Sequence, residues 1–440
     1  MAEPLKYIDL FAGLGGFHIA LQQLGCECVY VSELREDLRH LYASNFNYPY
    51  ESINDDITKI TDHMDQVPPH DILCGGFPCQ PFSKAGKRQG FNDKEGRGNL
   101  FNYICDILNA RHPKYVLLEN VSNLVGHDNG NTWKVIQQRL DEANYWVKGK
   151  ILSPHEFGIP QHRKRIYIIG VRKDLASKES LQFPDVPHTA TCDIRTILDS
   201  NPTTFTPLKP ETKREIEVWQ EFVQKCVEHT GDIPKFPVWA MEFGADYEYE
   251  SVAPAYQTVD QLIGKHGDRG ALIAGRPRTN ITDYLKLLPP YARNAKTVKF
   301  PQWKINFIRQ NREFYQQNKT WIDEWLPNIQ NWPNCHIKLE WNCTKKDGIS
   351  IYDKIIQYRP SGIRVKKPTF SPALTYMGSQ IPILPFANGG RYLTIKEAAR
   401  LQGMQDLDFS LLSECRAFEA LGNAVNVDIV KLVLEKLLKI

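Results

Sequence analysis

Cys79 stands in the run Gly75-Gly76-Phe77-Pro78-Cys79-Gln80-Pro81-Phe82-Ser83, where glycine, proline and polar neighbours present a thiol instead of packing it. Thiolate is a nucleophile, and a thiol with an ordinary pKa near ~8.5 needs a cationic or dipolar setting to ionise at neutral pH. The next run, Lys84-Ala85-Gly86-Lys87-Arg88-Gln89-Gly90-Phe91, is basic with two glycine hinges and suits closure over a polyanion. Glu119 ends the apolar run Tyr115-Val116-Leu117-Leu118. Low-dielectric walls there raise a carboxyl pKa and suit a proton donor, although a cap or an ion-pair partner also fits a strand end. In Gln161-His162-Arg163-Lys164-Arg165, strand period places Gln161, Arg163 and Arg165 on one face. Two guanidiniums so placed hold phosphates or a ring carbonyl oxygen, or line a charged sheet edge.

A second set of residues points to a small ligand. Asp9-Leu10-Phe11-Ala12-Gly13-Leu14-Gly15-Gly16 reads as a strand, a glycine turn and a helix start. Such a turn lets a ligand approach the backbone and meet amide donors, and it also occurs for geometry alone. Glu33 follows the next strand about 20 residues on, where an acid binds ribose hydroxyls. No Gly-Lys-Ser/Thr sequence follows the turn, which favours a nucleoside-like ligand over a nucleoside triphosphate. Asp56 is placed to accept from an adenine amine or to be a surface-loop acid.

The elements that carry these residues form an alternating α/β pattern over the first 170 positions. Strands are expected at 7–11, 28–31, 72–74, 115–118, 145–147 and 166–169, with helices at 17–24, 37–44 and 133–140. In open α/β sheets chemistry gathers at the carboxyl ends of strands, and the polar residues above repeatedly fall there. From about residue 175 prolines become frequent (Pro184, Pro187, Pro202, Pro207, Pro210) and the alternation stops, which marks an irregular, aromatic-rich second domain to about residue 385. Beyond it, Thr394 to Gly403 reads as a helix with a capping box through Glu397, and Val427 to Leu438 as an amphipathic terminal helix.

Composition excludes several classes. With 42% hydrophobic and 24% charged residues the chain is an ordinary globular one. It has neither a secretory signal nor an apolar run near the ~18 residues that span a bilayer, so no membrane partner and a cytoplasmic location are expected. The ten cysteines include no paired Cys-x-x-Cys array, so reduced thiols and no metal are expected. Charge is unevenly spread. Residues 171–260 hold 9 Lys/Arg against 16 Asp/Glu, whereas 261–320 hold 12 against 3, interleaved with Tyr284, Tyr291, Phe300, Trp303, Phe307, Phe314 and Tyr315. A solvated basic surface and a nucleic-acid contact face both fit that second window.

Taken together and in order, these runs resemble the cytosine-5 DNA methyltransferase family. The likeness covers residues 7–172 and 391–430 through Pro78-Cys79-Gln80, Glu119-Asn120-Val121, Gln161-x-Arg163-x-Arg165, the run from Arg391 to Gly403, and Gly422-Asn423-Ala424-Val425. The resemblance implies an α/β fold: a Rossmann-like S-adenosylmethionine-dependent methyltransferase with a mixed sheet and helices on both faces, plus a smaller irregular target-recognition domain. It divides the chain into a catalytic domain of 1–185 and 385–440 and a recognition domain of 186–384, and it folds the last helix back beside the first glycine turn. It implies a catalytic set of Cys79, Glu119, Arg163 and Arg165. Cys79 would attack carbon 6 of a flipped cytosine, Glu119 would protonate ring nitrogen 3, Arg165 would hold the ring oxygen, and Arg163 would bind near the nucleotide's phosphate or the catalytic loop. The implied cofactor pocket takes Phe11, Gly13, Gly15, Glu33, Leu34, Asp56, Ile57, Leu100 and Asn423, with Phe11 on adenine, Glu33 on ribose, Asp56 on the adenine amine and Asn423 on the methionine side. The partner implied is double-stranded DNA, met by a single chain paired in function with a restriction endonuclease in a bacterium.

Two features depart from the usual pattern. Asn99 lies between Gly98 and Leu100, and Pro372-Ala373-Leu374-Thr375 has Ala-Leu and then Thr where many relatives carry a threonine followed by an aliphatic residue near the target base, so that contact is unassigned. Three rival readings fit less well. A tRNA methyltransferase of this family has a short recognition region, whereas residues 173–390 leave 218 positions here. An inactive relative would have lost Cys79 or Glu119. A nicotinamide oxidoreductase accounts for the glycine turn and Glu33 but not for the Pro-Cys-Gln loop.

Overall fold

The structure is a computed structural model that describes residues 3–78, 100–187, 191–274, 281–375 and 380–440. Cys79, the basic run after it and Asn99 lie outside the described residues. The first elements are β1 (Lys6–Leu10), α1 (Gly16–Gln23), β2 (Glu27–Ser32), α2 (Glu36–Phe46), β3 (Ile53–Asn54), β4 (Ile72–Gly75), α3 (Leu100–Arg111), β5 (Tyr115–Val121), α4 (Asn131–Glu142), β6 (Tyr145–Leu152), β7 (Gln161–His162) and β8 (Arg165–Arg172). Next come α5 (Pro210–Thr230), β9 (Val238–Trp239), the short helices α6 (Val259–Leu262), α7 (Ile281–Leu285) and α8 (Pro290–Arg293), then α9 (Gln302–Gln317) and α10 (Lys319–Trp325). The last are β10 (Lys338–Asn342), β11 (Ile355–Arg359), β12 (Gly362–Lys366), β13 (Ser371–Pro372), β14 (Ile383–Leu384), β15 (Arg391–Tyr392), α11 (Ile395–Arg400), α12 (Glu414–Asn423) and α13 (Val427–Leu437).

The chain forms two compact units, Met1–Asp199 with Thr369–Ser379 and Thr394–Ile440, and Ser200–Pro368 with Gln380–Leu393. These bounds put residues 186–199 with the first unit and 385–393 with the second, and they return 369–379 to the first.

In the first unit a seven-stranded sheet runs β3-β2-β1-β4-β5-β8-β6. Strands β1 to β5 pair in parallel, and β8 pairs antiparallel to both β5 and β6, which makes the sheet mixed. From β1 the chain builds outward through β2 and β3, then returns to add β4 on the other side. The carboxyl edge between β1 and β4 is therefore a switch point, where open α/β sheets bind ligands. Period-two alternation divides the core. Ile8, Leu10, Leu73, Val116, Leu118, Ile166 and Ile168 pack with α3 and α4 residues such as Ile104, Leu108, Ile136 and Leu140. On the opposite face, Val31 packs with Tyr42 of α2.

Helix α13 packs against α1, as the resemblance implies. The expected capping box at Thr394 and Glu397 is present, but α11 ends at Arg400, and Gly403 takes a φ of +71° in the turn that follows. Strand β1 also stops one residue early, because Phe11 enters the left-handed region with a φ of +58°.

The second unit holds a six-stranded sheet, β15-β14-β11-β12-β10-β9. Helix α5 buries Ile216, Trp219, Phe222, Val223 and Cys226 in a core with Trp325 of α10 and Leu339, Ile356, Ile363 and Val365 of the sheet. It begins with proline in its first turn and ends at Gly231 in the left-handed conformation, the usual helix punctuation. Among the described residues no helix of the chain is long and apolar enough to cross a membrane.

Packing around the glycine turn is close at Gly15, where a Cβ would lie 2.4 Å from the Phe46 ring, and at Gly16. A Cβ on Gly16 would lie 2.5 Å from Val425 Cγ2, 2.9 Å from Met404 Cε and 3.2 Å from the Val425 carbonyl oxygen. Because one of these is backbone, Gly16→Ala is expected to cost about 1–3 kcal/mol of stability. Urea unfolding checks this, and an unchanged midpoint would contradict it.

Candidate active site

The ligand side of the site is built from strand ends. After β1, Gly13 and Gly15 take φ values of +54° and +76°, a region that favours glycine, and at Gly15 a Cβ would also meet the Phe46 ring at 2.4 Å. The turn is tied across the sheet by Glu33, just past β2. Its Oε2 accepts from the Gly13 amide and its Oε1 from the Arg35 amide, each at 2.9 Å. Burial pushes the Glu33 carboxyl above its ordinary range, and the two amides pull it back only in part. Each oxygen keeps a further lone pair for a hydroxyl donor.

Leu34 follows and is 71% exposed, while Arg39 donates to the Glu33 and Leu34 carbonyls at 3.2 and 2.7 Å. Strand β3 lies next to β2, and the Glu33 amide donates to the Asn54 carbonyl at 3.0 Å, two residues before Asp56. Asp56 Oδ1 is committed to the Thr58 amide and hydroxyl at 2.9 and 2.7 Å. Ile57 is buried in the core, Leu100 opens α3, and Phe11 lies beside Gly75, whose added Cβ would meet the Phe11 ring at 3.6 Å. Asn423 is exposed at the end of α12. The acid, the amide-lined turn and the exposed Leu34 fit the adenosine part of S-adenosylmethionine.

The base-facing side begins where β4 ends. Gly76, Phe77 and Pro78 lead towards Cys79, and the buried Asn120 Nδ2 donates to the Phe77 carbonyl at 3.1 Å. A Cβ on Gly76 would come to 3.8 Å from Glu119 Oε2, so the carboxyl sits against this backbone. The β5–β8 register sets Val121 opposite Arg165, and Arg165 Nε reaches Glu119 Oε1 at 3.1 Å. Burial raises the Glu119 carboxyl above its ordinary range, although Arg165 and then Arg163 pull it down.

The run from Gln161 to Arg165 is not one strand, because β7 stops at His162 and β8 starts at Arg165. Arg163, in the break, is 2% exposed. Its Nη1 donates to the Gly422 carbonyl at 2.9 Å and its Nη2 to the Ala424 carbonyl at 2.7 Å. The structure thus joins Glu119 with Arg165 and Gly13 with Glu33, and it carries Arg163 towards Asn423.

Three residues take part that the sequence did not single out. Asn120 holds the approach to Cys79. Ser153 Oγ accepts from the Arg163 amide at 2.9 Å, and its capping box with Glu156 was legible as Ser-x-x-Glu. Asp9 is fully buried on β1, and burial, then Glu33, raise its pKa well above normal against the pull of the His18 backbone amide. Among the described residues no group of three or more His, Cys, Asp or Glu is placed to hold a metal.

A mixed sheet with a switch point, a glycine turn with an acid just past the next strand, and a buried acid beside an arginine are the frame of a nucleoside-binding α/β enzyme. The family described as C-5 cytosine-specific DNA methylase matches residues 5–439, and the chain belongs to that family. It is accordingly an S-adenosylmethionine-dependent DNA (cytosine-5)-methyltransferase. It is 31% identical over 468 residues to the type II methyltransferase M.NgoBV of Neisseria gonorrhoeae, covering 99% of each chain. Identity to the type II methyltransferase M.AluI of Cellulosimicrobium cellulans is 29%, over 98% of this chain and 91% of that one. With the type II methyltransferase M.HhaI of Haemophilus parahaemolyticus it reaches 46% over 180 residues, 41% of this chain and 53% of that one. Among solved structures, a putative DNA modification methyltransferase encoded within an E. coli prophage shares the fold at a TM-score of 0.53 and 18% identity, covering 99% of both chains.

Asp9 makes stability depend on pH. A carboxyl whose folded pKa is raised contributes fully below its unfolded value of about 4 and loses stability as pH rises towards the folded value. Asp9→Asn removes that penalty, so it is expected to melt higher than wild type near pH 8 and about equally near pH 4. Thermal melts at both values check this, and equal gaps at the two would contradict it.

Proposed function

We propose that Cys79, Glu119 and Arg165 carry out the methyl transfer on a cytosine turned out of duplex DNA, with Arg163 supporting the site through the turn after α12 without touching the base. The observation that carries this reading is the buried Glu119–Arg165 pair set against Gly76, three residues before Cys79. Carbon 5 of cytosine is a weak nucleophile. Addition of the Cys79 thiolate to carbon 6, with the Glu119 proton passing to ring nitrogen 3, makes carbon 5 an enamine carbon. Arg165 holds the ring oxygen and keeps Glu119 aimed. S-adenosylmethionine, when bound, supplies the methyl group as an electrophile on its sulfonium. Loss of the carbon-5 proton to solvent then expels Cys79, and nitrogen 3 returns its proton to Glu119. Turning the base out costs a few kcal/mol, which contacts to the extruded nucleotide offset.

Phe11, Gly13, Gly15, Glu33, Leu34, Asp56, Ile57, Leu100 and Asn423 form the cofactor pocket in this reading. The unit built on Ser200–Pro368 reads the DNA sequence. Its basic window offers less free charge than its composition suggests. Arg312 is spent on the buried Glu242 at 2.9 Å, Arg269 on Asp268 at 2.9 Å and Arg309 on Glu250 at 2.8 Å. The protein works as a single chain in a bacterial cytoplasm, alongside a restriction endonuclease of the same specificity, a pairing supported by the type II names of its relatives.

The test follows label from S-adenosylmethionine into duplex DNA. Cys79→Ser is expected to lower transfer by about a thousandfold or more, and Glu119→Gln by about 10²–10⁴-fold. Transfer that survives the Cys79 change would remove the mechanism. Because Glu119 must hold its proton, the transfer rate should fall as pH rises through its raised pKa. Glu119→Gln, whose amide cannot titrate, should abolish that alkaline limb.

A further inference from the structure

Helix α12 ends in carbonyls that have no partner within the helix, as every α-helix does. Gln402 Nε2 takes the Leu421 carbonyl at 2.7 Å, and Arg163 takes those of Gly422 and Ala424. A guanidinium at a helix C-terminus also meets the negative end of the helix dipole. The two carbonyls bracket Asn423. One residue on, Val425 packs where a Cβ on Gly16 would lie 2.5 Å from its Cγ2 and one on Gly76 would lie 3.8 Å from its Cγ1. The turn held by Arg163 therefore touches both the start of α1 and the backbone that leads to Cys79.

We propose that Arg163 is a positioning residue for the cofactor pocket, fixing Asn423 and Val425 against the glycine turn. This rests on the assignment of that turn and Asn423 to S-adenosylmethionine. It departs from the phosphate contact that the motif implies by resemblance. Phosphate binding would require a 2%-exposed side chain to give up two carbonyl bonds at a helix end. The backbone of Arg163 is fixed as well, through its amide on Ser153 Oγ, so the guanidinium enters the turn from a rigid base.

The decisive measurement is the affinity for S-adenosylmethionine in the absence of DNA, by calorimetry on the full chain. Arg163→Ala is expected to raise Kd about tenfold or more, and Arg163→Lys, which can reach one carbonyl, to recover part of it. The KM for unmodified phage DNA should move less than about threefold. Unchanged cofactor affinity in both variants overturns the proposal, whether or not the DNA KM rises. A lowered melting temperature with unchanged Kd overturns it equally, because that is a structural role alone. Should Arg163→Ala fail to fold, Arg163→Lys and Asn423→Ala are combined. Losses in cofactor affinity smaller together than their sum support coupling through the turn, and strict additivity overturns it. Wild-type protein that binds no cofactor would overturn the pocket assignment beneath it.

Discussion

Burying a carboxylate costs several kcal/mol unless something compensates it, and Glu119 is buried with one guanidinium, that of Arg165, at 3.1 Å. Much of the first unit can be understood as maintaining that compromise. Antiparallel pairing of β5 with β8 fixes Arg165 across from Val121, from where it reaches back to the acid. Gly76 has no side chain, so the backbone leading to Cys79 can lie against the carboxyl. Asn120 points the other way along β5 and ties that same backbone down. Two consecutive residues of one strand thus hold the Arg165 guanidinium and the Phe77 carbonyl.

Much of this arrangement was legible because it is local. Apolar runs at Ile72–Cys74, Tyr115–Leu118 and Ile166–Ile169 fall within β4, β5 and β8, with Glu119 near the end of β5 and Arg165 at the start of β8. Glycines at positive φ marked the first turn for the same reason. The partner of Arg163 was not legible. Gly422 lies 259 positions away, and periodicity carries no information about a contact made through a helix terminus. Strand spacing even suggested that Arg163 and Arg165 act side by side, because it does not reveal the break between β7 and β8. Asp9 was hidden for a related reason, since a polar residue in a strand looks exposed until both faces of the sheet are known to be covered.

The second unit was harder to read, although α5 carries its own signature in Ile216, Trp219, Phe222, Val223 and Cys226, bounded by Pro210 and Gly231. Frequent prolines nearby obscured it. Charge counting also misled in part of this region. Glu242 accepts from Tyr247 and Tyr291 as well as Arg312, whose guanidinium lies over the Tyr247 and Tyr249 rings at 4.2 and 4.5 Å. A basic residue in a basic stretch can belong to the core, and only the fold separates the two cases.

Strand β13 is two residues long, yet it pairs in parallel with β7 and draws Thr369–Ser379 into the first unit. The polypeptide consequently passes from one unit to the other four times, and the second unit is interrupted in sequence instead of being a single cassette. Exchange of specificity between relatives, whether by recombination or by engineering, meets a seam there. A graft that carries everything from Ser200 to Leu393 also replaces Ser371 and Pro372, the neighbours of Gln161 and His162. A graft that stops at Pro368 and resumes at Gln380 leaves the host's own splice intact.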